Sequence, residues 1–374
     1  MRVSHNAVTA LSLSLTLCAV TFAAEGLYFP ASGESWESVD PAAVGWDADL
    51  LDAALDIAGD RDSSGVVMLH NGRIMAERYW EVPNPPRRYR NMVTGTDDQG
   101  HPIEDVASAQ KSVAAVLTGM AQERGFLQLD DPVTKHLGAG WSKATPTQER
   151  AITLRHLLSM NSGLAVDFTF ETEPDTKWLY NTPVYHLVMQ VLTAATGMER
   201  NALTDAWIAG SLGMEHSSWT PRPWASADIA VGFSTTAREL ARFGLMIQAG
   251  GRWQDEVLLR DGSYLKEMLS SSQSLNPSYG YLWWLNGAEF SLAAGARALR
   301  RDGQMIAAAP ADLVAMQGAL DRKLYLVPSL GLVVTRLGAA GGAGGDRFND
   351  AFWEAVMRAA PADQVASTPR VPAL

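Results

Sequence analysis

The chain has 374 residues, 47% apolar and 19% charged, which is enough to bury one large core or two linked ones and excludes a disordered or fibrous protein. Its formal net charge of −11 argues against a nucleic-acid partner, because binding phosphates calls for clustered Lys and Arg on a basic face.

The N-terminus differs from the rest. Arg2 supplies a positive start, Ala7 to Val20 is mostly apolar, and Thr21-Phe22-Ala23 ends in small residues. This reads as a secretory signal peptide over residues 1–24, too short and too soon followed by polar sequence to be a membrane span. The mature protein is therefore expected to be periplasmic or secreted, with no stable membrane span. Cys18 is the single cysteine and leaves with the leader, so neither a disulfide nor a cysteine nucleophile is expected.

Ser35 to Asp47 reads as an exposed lead-in, and Ala48 to Gly59 as a helix carrying Leu50, Leu51, Ala54 and Leu55. Two apolar runs, Gly65 to His70 and Ile74 to Trp80, flank Asn71-Gly72, a strong hairpin signal. Pro83 to His101 is read as a long loop, and its Arg87, Arg88 and Arg90 as solvated.

Ser108-Ala109-Gln110-Lys111 then opens a helical run, with Val113, Ala114, Val116, Leu117, Met120 and Ala121 at helical spacing and Gly125 as its stop. Residues three apart share a helix face, so the lysine amine can accept the serine's proton. In the first turn, the positive end of the helix dipole and partial burial would keep some of that lysine neutral. Spacing alone is weak evidence, because Ser263 and Lys266 repeat it.

Helical periods dominate from Ala109 to about Gly250: Thr153 to Met160, Tyr185 to Thr196, Asn201 to Ala209 and Ala237 to Gln248. Strands follow at Tyr279 to Trp284, Leu324 to Val327 and Leu332 to Leu337, then a helix from Asn349 to Ala359. Gly338 to Gly345 lacks the Lys-Ser/Thr of a phosphate loop and reads as a flexible connection, and Pro361 to Leu374 as a disordered tail. The expected fold class is α+β: an antiparallel sheet built from N- and C-terminal segments, flanked by helices, plus an all-helical subdomain. A single catalytic domain would span 37–360, with its sheet part at about 37–107 and 275–360 and its helical part at about 108–274.

Several segments together resemble the superfamily of serine β-lactamases, D-Ala-D-Ala peptidases and esterases, especially the class C-like branch with 6-aminohexanoate-oligomer hydrolases. They are Ser108 to Ser112, Gly125 to Val133, Ile152 to Leu164, Ser234 to Gly244 and Tyr279 to Trp284, in family order and covering roughly residues 37–358. The resemblance implies a β-lactamase/transpeptidase-like fold, Ser108 as nucleophile and Lys111 as base. It also implies that Tyr180, in Trp178-Leu179-Tyr180-Asn181-Thr182-Pro183, is a proton-carrying phenol with Thr182 at the third place of that motif. A cleft strand near Gly318, Ala319 and Leu320 would supply a backbone N–H to an oxyanion hole shared with Ser108. No lysine or histidine stands at Ala319, which weakens carboxylate recognition on that strand; Arg322 or Lys323 is the substitute, and alternation would point only one of them into the cleft.

The expected activity is ester or amide hydrolysis through a Ser108 acyl-enzyme, on a small-molecule ester, amide or peptide, with no cofactor and no metal. Two alternatives stand beside it. One is a peptide- or acyl-binding module that keeps the fold. The other, a β-lactamase or D-Ala-D-Ala carboxypeptidase, is disfavoured by the missing Ser-Asp-Asn and Lys-Thr-Gly elements. No Gly-x-Ser-x-Gly elbow occurs, His156 reads as structural, and Trp178, Trp207, Trp219, Trp283 and Trp284 read mostly as core.

Overall fold

The computed structural model describes residues 26–33, 35–295, 297–340 and 347–367. The leader segment, most of the glycine-rich connection and the last seven residues of the tail lie outside them. Within the described part of the tail, a helix at Ala362–Ser367 replaces the expected disorder.

A six-stranded antiparallel sheet forms the centre. Its strands are β1 (Ser63–His70), β2 (Arg73–Tyr79), β3 (Trp284–Leu285), β4 (Val314–Gly318), β5 (Arg322–Val327) and β6 (Leu332–Gly338), in the spatial order β2-β1-β6-β5-β4-β3. Both chain ends thus build one sheet, as the periodicity implied. Asn71 (φ 47°) and Gly72 (φ 85°) make the β1–β2 turn, both in the left-handed region that such a hairpin requires. The expected strand Tyr279 to Trp284 is mostly turn: Leu282 has φ 59°, and only Trp284–Leu285 pairs with β4.

Both faces of the sheet are covered, which is why β1 and β6 read as nearly continuous apolar runs. Leu324 and Val333 pack against Gly244 of helix Ala237–Gln248, where a Cβ would sit 2.6 Å from the Leu324 side chain. Tyr325, the next residue of β5, points the opposite way, hydrogen-bonding Asn349 and meeting Trp353 edge-on in helix Arg347–Ala359.

A second, four-stranded sheet was not anticipated. Val93–Thr96, Pro102–Asp105, Val231–Thr235 and Ser218–Pro221 lie in that order. It corrects two readings: part of the 83–101 loop is strand, preceded by a short helix at Arg87–Arg90, and the helical stretch before Gly250 contains two strands. These strands are four or five residues long, too short for alternation to stand out. A fully buried ion pair at 2.8 Å, Glu104 to Arg322, ties the two sheets together, and Glu104 also accepts from Ser64, Tyr89 and the Gly338 N–H.

Helix Gln110–Glu123 runs through the interior, with every residue from Gln110 to Ala121 buried. Apart from Gln110, Lys111, Ser112 and Thr118, its buried residues are apolar or small, as suits a helix with little contact with solvent. Gly119 is the tightest point: a Cβ there would lie 2.3 Å from the Tyr264 ring.

Candidate active site

Strand Pro102–Asp105 delivers the chain to a sharp elbow. Ala107 has φ 52°, a left-handed conformation that costs a non-glycine residue on the order of 1 kcal/mol, and the Asp105 carboxylate holds it by accepting from its N–H at 2.8 Å. A 3-10 turn over Ala107–Ala109 follows and feeds the buried helix. This places Ser108, half-buried, at the helix entrance with Lys111 one turn on.

Lys111 Nζ donates to Ser108 Oγ at 3.1 Å. The lysine is 1% exposed, and among the described residues no carboxylate pairs with it. Instead the Tyr180 and Tyr185 rings lie against the amine, at 4.8 and 4.7 Å to their centroids. Burial pushes its pKa well below the ordinary lysine value, and the Arg222 guanidinium pushes the same way.

Tyr180 stands in an aromatic box, with the Trp284 ring stacked at 5.7 Å and Tyr279 edge-on at 6.2 Å. Burial pushes its phenol up to about 12, while a hydrogen bond with the Ser108 side chain opposes that rise. The chain just after it is fixed by Asn181, which caps helix Thr182–Thr196 through the Val184 N–H at 3.2 Å and donates to Leu164 O at 2.9 Å. Thr182 is the first residue of that helix and lies outside the lining of the cleft described below.

The edge of β4 forms the opposite wall. Gly318 ends the strand so close to the Ser108 elbow that a Cβ would meet Val106 O at 2.1 Å and Ala109 N at 3.3 Å. The stretch Gly318 to Lys323 is not one continuous strand, which corrects the sequence reading. Ala319–Asp321 is a turn with Leu320 and Asp321 both left-handed, and β5 starts at Arg322. Gly318, Ala319 and Leu320 all line the cleft. Of the two neighbouring cations, Lys323 does too, whereas Arg322 turns away to Glu104, as alternation required.

The cleft encloses about 480 Å³ and brings Ser108 and Tyr180 together with Trp284, Leu292 and Met305. It also takes in Arg88 and Arg301, neither of which the sequence marked as part of a site and both of which are exposed. Sequence reasoning also missed Arg222, which donates to Asp105 at 2.6 and 2.7 Å and to Gln110 Oε1 at 3.0 Å behind the site. Its setting, Pro221-Arg222-Pro223, carries no periodic signal.

The rival Ser263 lies in the first turn of a short helix, Gly262–Met268, whose cap is Asp261, and its Oγ donates to that Asp261 at 2.5 Å on the exposed surface. His156 is structural, its Nδ1 accepting from the Thr153 N–H at 3.0 Å and its Nε2 facing Asp175. Trp178, Trp219 and Trp283 are core, and Trp284 alone of the tryptophans lines the cleft.

A family model described as Beta-lactamase matches residues 49–355. An uncharacterized protein of Alkalihalophilus pseudofirmus is 24% identical over 254 residues, covering 60% of this chain and 71% of its own. Among solved structures, a Bacteroides dorei protein assigned as a beta-lactamase superposes with TM-score 0.61 at 19% identity, over 86% of this chain and 99% of its own. A Bacillus anthracis protein assigned as a 6-aminohexanoate-dimer hydrolase gives 0.56 at 16%, over 88% and 86%. At such identities the structural likeness establishes the fold.

Proposed function

The chain belongs to the Beta-lactamase family, generally serine hydrolases, and from that premise we propose that it cleaves an ester or amide through an acyl-enzyme on Ser108. The observation that carries this reading is a buried lysine, with no carboxylate beside it among the described residues, 3.1 Å from a serine hydroxyl that lines the cleft. Holding a charged ammonium there is unfavourable, and holding a neutral amine that takes a proton from Ser108 is not.

In the proposed reaction Ser108 Oγ attacks the substrate carbonyl as its proton moves toward Lys111 Nζ. The oxygen that gains negative charge is met by the Ser108 N–H and by a backbone N–H from the Gly318 to Leu320 end of the cleft strand. Tyr180, hydrogen-bonded to the Ser108 side chain, hands a proton to the leaving group. Water then enters, gives a proton back through the same pair and frees the acid. Thr182 has no part in this scheme. We also propose export, on the strength of the basic, apolar and small-residue pattern of residues 1–24.

The test is turnover of 4-nitrophenyl butyrate. Ser108→Ala, with an unchanged circular dichroism spectrum, is expected to abolish it; undiminished turnover in the variant would remove Ser108 from the reaction, and no turnover by the unaltered protein would favour a fold kept for binding.

A further inference from the structure

Burial alone would leave Lys111 a poor base. An amine that cannot hold a proton in a dry site takes none from a serine hydroxyl, so something must meet the ammonium as it forms. Among the described residues no carboxylate does so, and the charge that bears on Lys111, the Arg222 guanidinium, has the same sign. What faces the amine is aromatic: the Tyr180 ring at 4.8 Å and the Tyr185 ring at 4.7 Å. A π face attracts an ammonium far more than a neutral amine, and the attraction grows where water is shut out.

The two rings are held differently. Tyr180 lines the cleft and is hydrogen-bonded to the nucleophile, so it is tied to the chemistry itself. Tyr185 is fully buried and lies outside the cleft lining. It stands one turn into helix Thr182–Thr196, where its N–H donates to Asn181 O at 3.0 Å. Its hydroxyl meets the side chain of Gln110, the residue before Lys111. Gln110 is itself pinned, its Oε1 accepting from Arg222 at 3.0 Å and from the Phe233 N–H at 2.9 Å. The Tyr185 ring therefore has a fixed place against the amine, out of reach of a substrate in the cleft.

We propose that Tyr185 is a positioning residue for the Ser108 reaction: its ring face holds the Lys111 amine beside the serine and steadies the ammonium that forms there. The proton passes from Ser108 Oγ to Lys111 Nζ as the bond from Oγ to the carbonyl carbon forms, and no bond to Tyr185 is made or broken. The inference rests on the hydrolase reading above. Lys111 then has two opposed neighbours, since Arg222 favours its neutral form and the ring its charged form. The other groups around the amine keep one state over the working pH range. Burial first, then Lys111, Arg222 and Arg200, hold His186 down at about 3, so its ring stays neutral. Burial raises the Tyr180, Tyr185 and Tyr279 phenols, which stay protonated. Arg200 and Arg222 keep their guanidinium charge, the latter paired with Asp105.

Two measurements on the whole protein test this. One is an NMR titration with [13Cε]lysine, the Lys111 signal being assigned by its loss in Lys111→Met. The other is the pH dependence of kcat/KM for 4-nitrophenyl butyrate. Tyr185→Leu should lower the Lys111 pKa by about one unit. The acid limb then moves to lower pH while the plateau of kcat falls, because a weaker base takes the proton less well. Damage to the fold alone would lower the plateau and leave the limb in place. Tyr185→Phe keeps the ring face and should keep the limb where it was.

Because Tyr185→Leu removes a large buried side chain, a second series keeps the shape. Phenylalanine analogues with one, two and three ring fluorines at position 185 drain the π face stepwise, and the Lys111 pKa should fall with each fluorine. A pKa that stays constant along this series, or rises in Tyr185→Leu, overturns the inference whatever the turnover. A pKa that falls as expected, in a protein that turns over no ester, supports the hold of Tyr185 on the amine and overturns the hydrolase reading instead.

Discussion

Replacing Arg222 with methionine keeps an unbranched apolar stem and removes the charged guanidinium. Arg222 makes two hydrogen bonds to Asp105, at 2.6 and 2.7 Å, and one to Gln110 Oε1 at 3.0 Å, and all three residues are buried. Removing one member of a buried pair strands the other charge, which costs about 3–5 kcal/mol. Asp105 would keep only its bond from the Ala107 N–H, too little to offset that loss. Urea unfolding at pH 7 is the assay, with the slope against denaturant expected to stay constant. A second variant tests the cause: Asp105→Asn added to Arg222→Met should recover part of the stability, because Asn needs no counter-ion and still accepts from Ala107. The same cation also holds the Lys111 amine toward its neutral form. A base must be unprotonated to act, so losing Arg222 raises the lysine's pKa and moves the acid limb of kcat/KM to higher pH. A stability loss below about 1 kcal/mol with an unmoved pH profile would refute this reasoning, since it would mean the pair neither anchors the elbow nor acts on Lys111.

Tyr180→Phe keeps the aromatic box and removes the phenol, so kcat should fall roughly 10²- to 10⁴-fold with Tm nearly unchanged. A fall under threefold would remove Tyr180 from the proton path. Lys111→Met should abolish turnover yet raise Tm at neutral pH. The folded protein holds this amine below its ordinary pKa, so between the two values the unfolded chain binds a proton that the folded one does not. Stability therefore rises with pH across that window, and the variant should flatten the slope; an unchanged slope in calorimetry from pH 6 to 9 would argue against it. Gly318→Ala would press a methyl group to within 2.1 Å of Val106 O and push β4 away from the Ser108 elbow. Activity should fall by more than tenfold even where the protein remains folded, and full activity would mean the wall is not needed at that spacing.

Much of the fold was legible in the sequence because its elements are long or carry strong local signals. Helix Ala48–Gly59 and helix Ala237–Gln248 lie where their periodicity put them, and Asn71-Gly72 announced its hairpin. The second sheet was hidden by its short strands and by the prolines and glycines within them, Pro102, Pro221, Gly95 and Gly232. Tyr279 to Trp284 alternates like a strand but is bent back by Leu282, whose N–H bonds to Leu158 O, a tertiary contact that no local pattern encodes.

The site divides along the same line. Ser108 and Lys111 are one helical turn apart, but Ser263 and Lys266 share that spacing, so a family pattern was needed both to single out the first pair and to add Tyr180, 72 positions after Ser108. Thr182 was drawn in by that same pattern, but as the first residue of a helix capped by Asn181 it lies outside the cleft lining. Of the cations that line the cleft, Lys323 was a candidate from its place on the cleft strand, whereas Arg88 and Arg301 join it only when β4, β5 and the Phe290–Leu292 and Arg300–Asp302 hairpin close on the 87–90 helix. The hairpin turn at Ala319–Asp321 escaped as well, because neither Leu320 nor Asp321 is a glycine that would have marked a left-handed position.

The central claim is that Ser108 is a nucleophile made reactive by Lys111. Intact-mass spectrometry after incubation with a fluorophosphonate tests it most directly, with the adduct mapped by peptide sequencing and the labelling rate followed against pH. The account predicts one adduct, on Ser108, whose rate climbs as Lys111 loses its proton and vanishes in Lys111→Met. A folded protein that takes no label, or takes it on another serine, would contradict it.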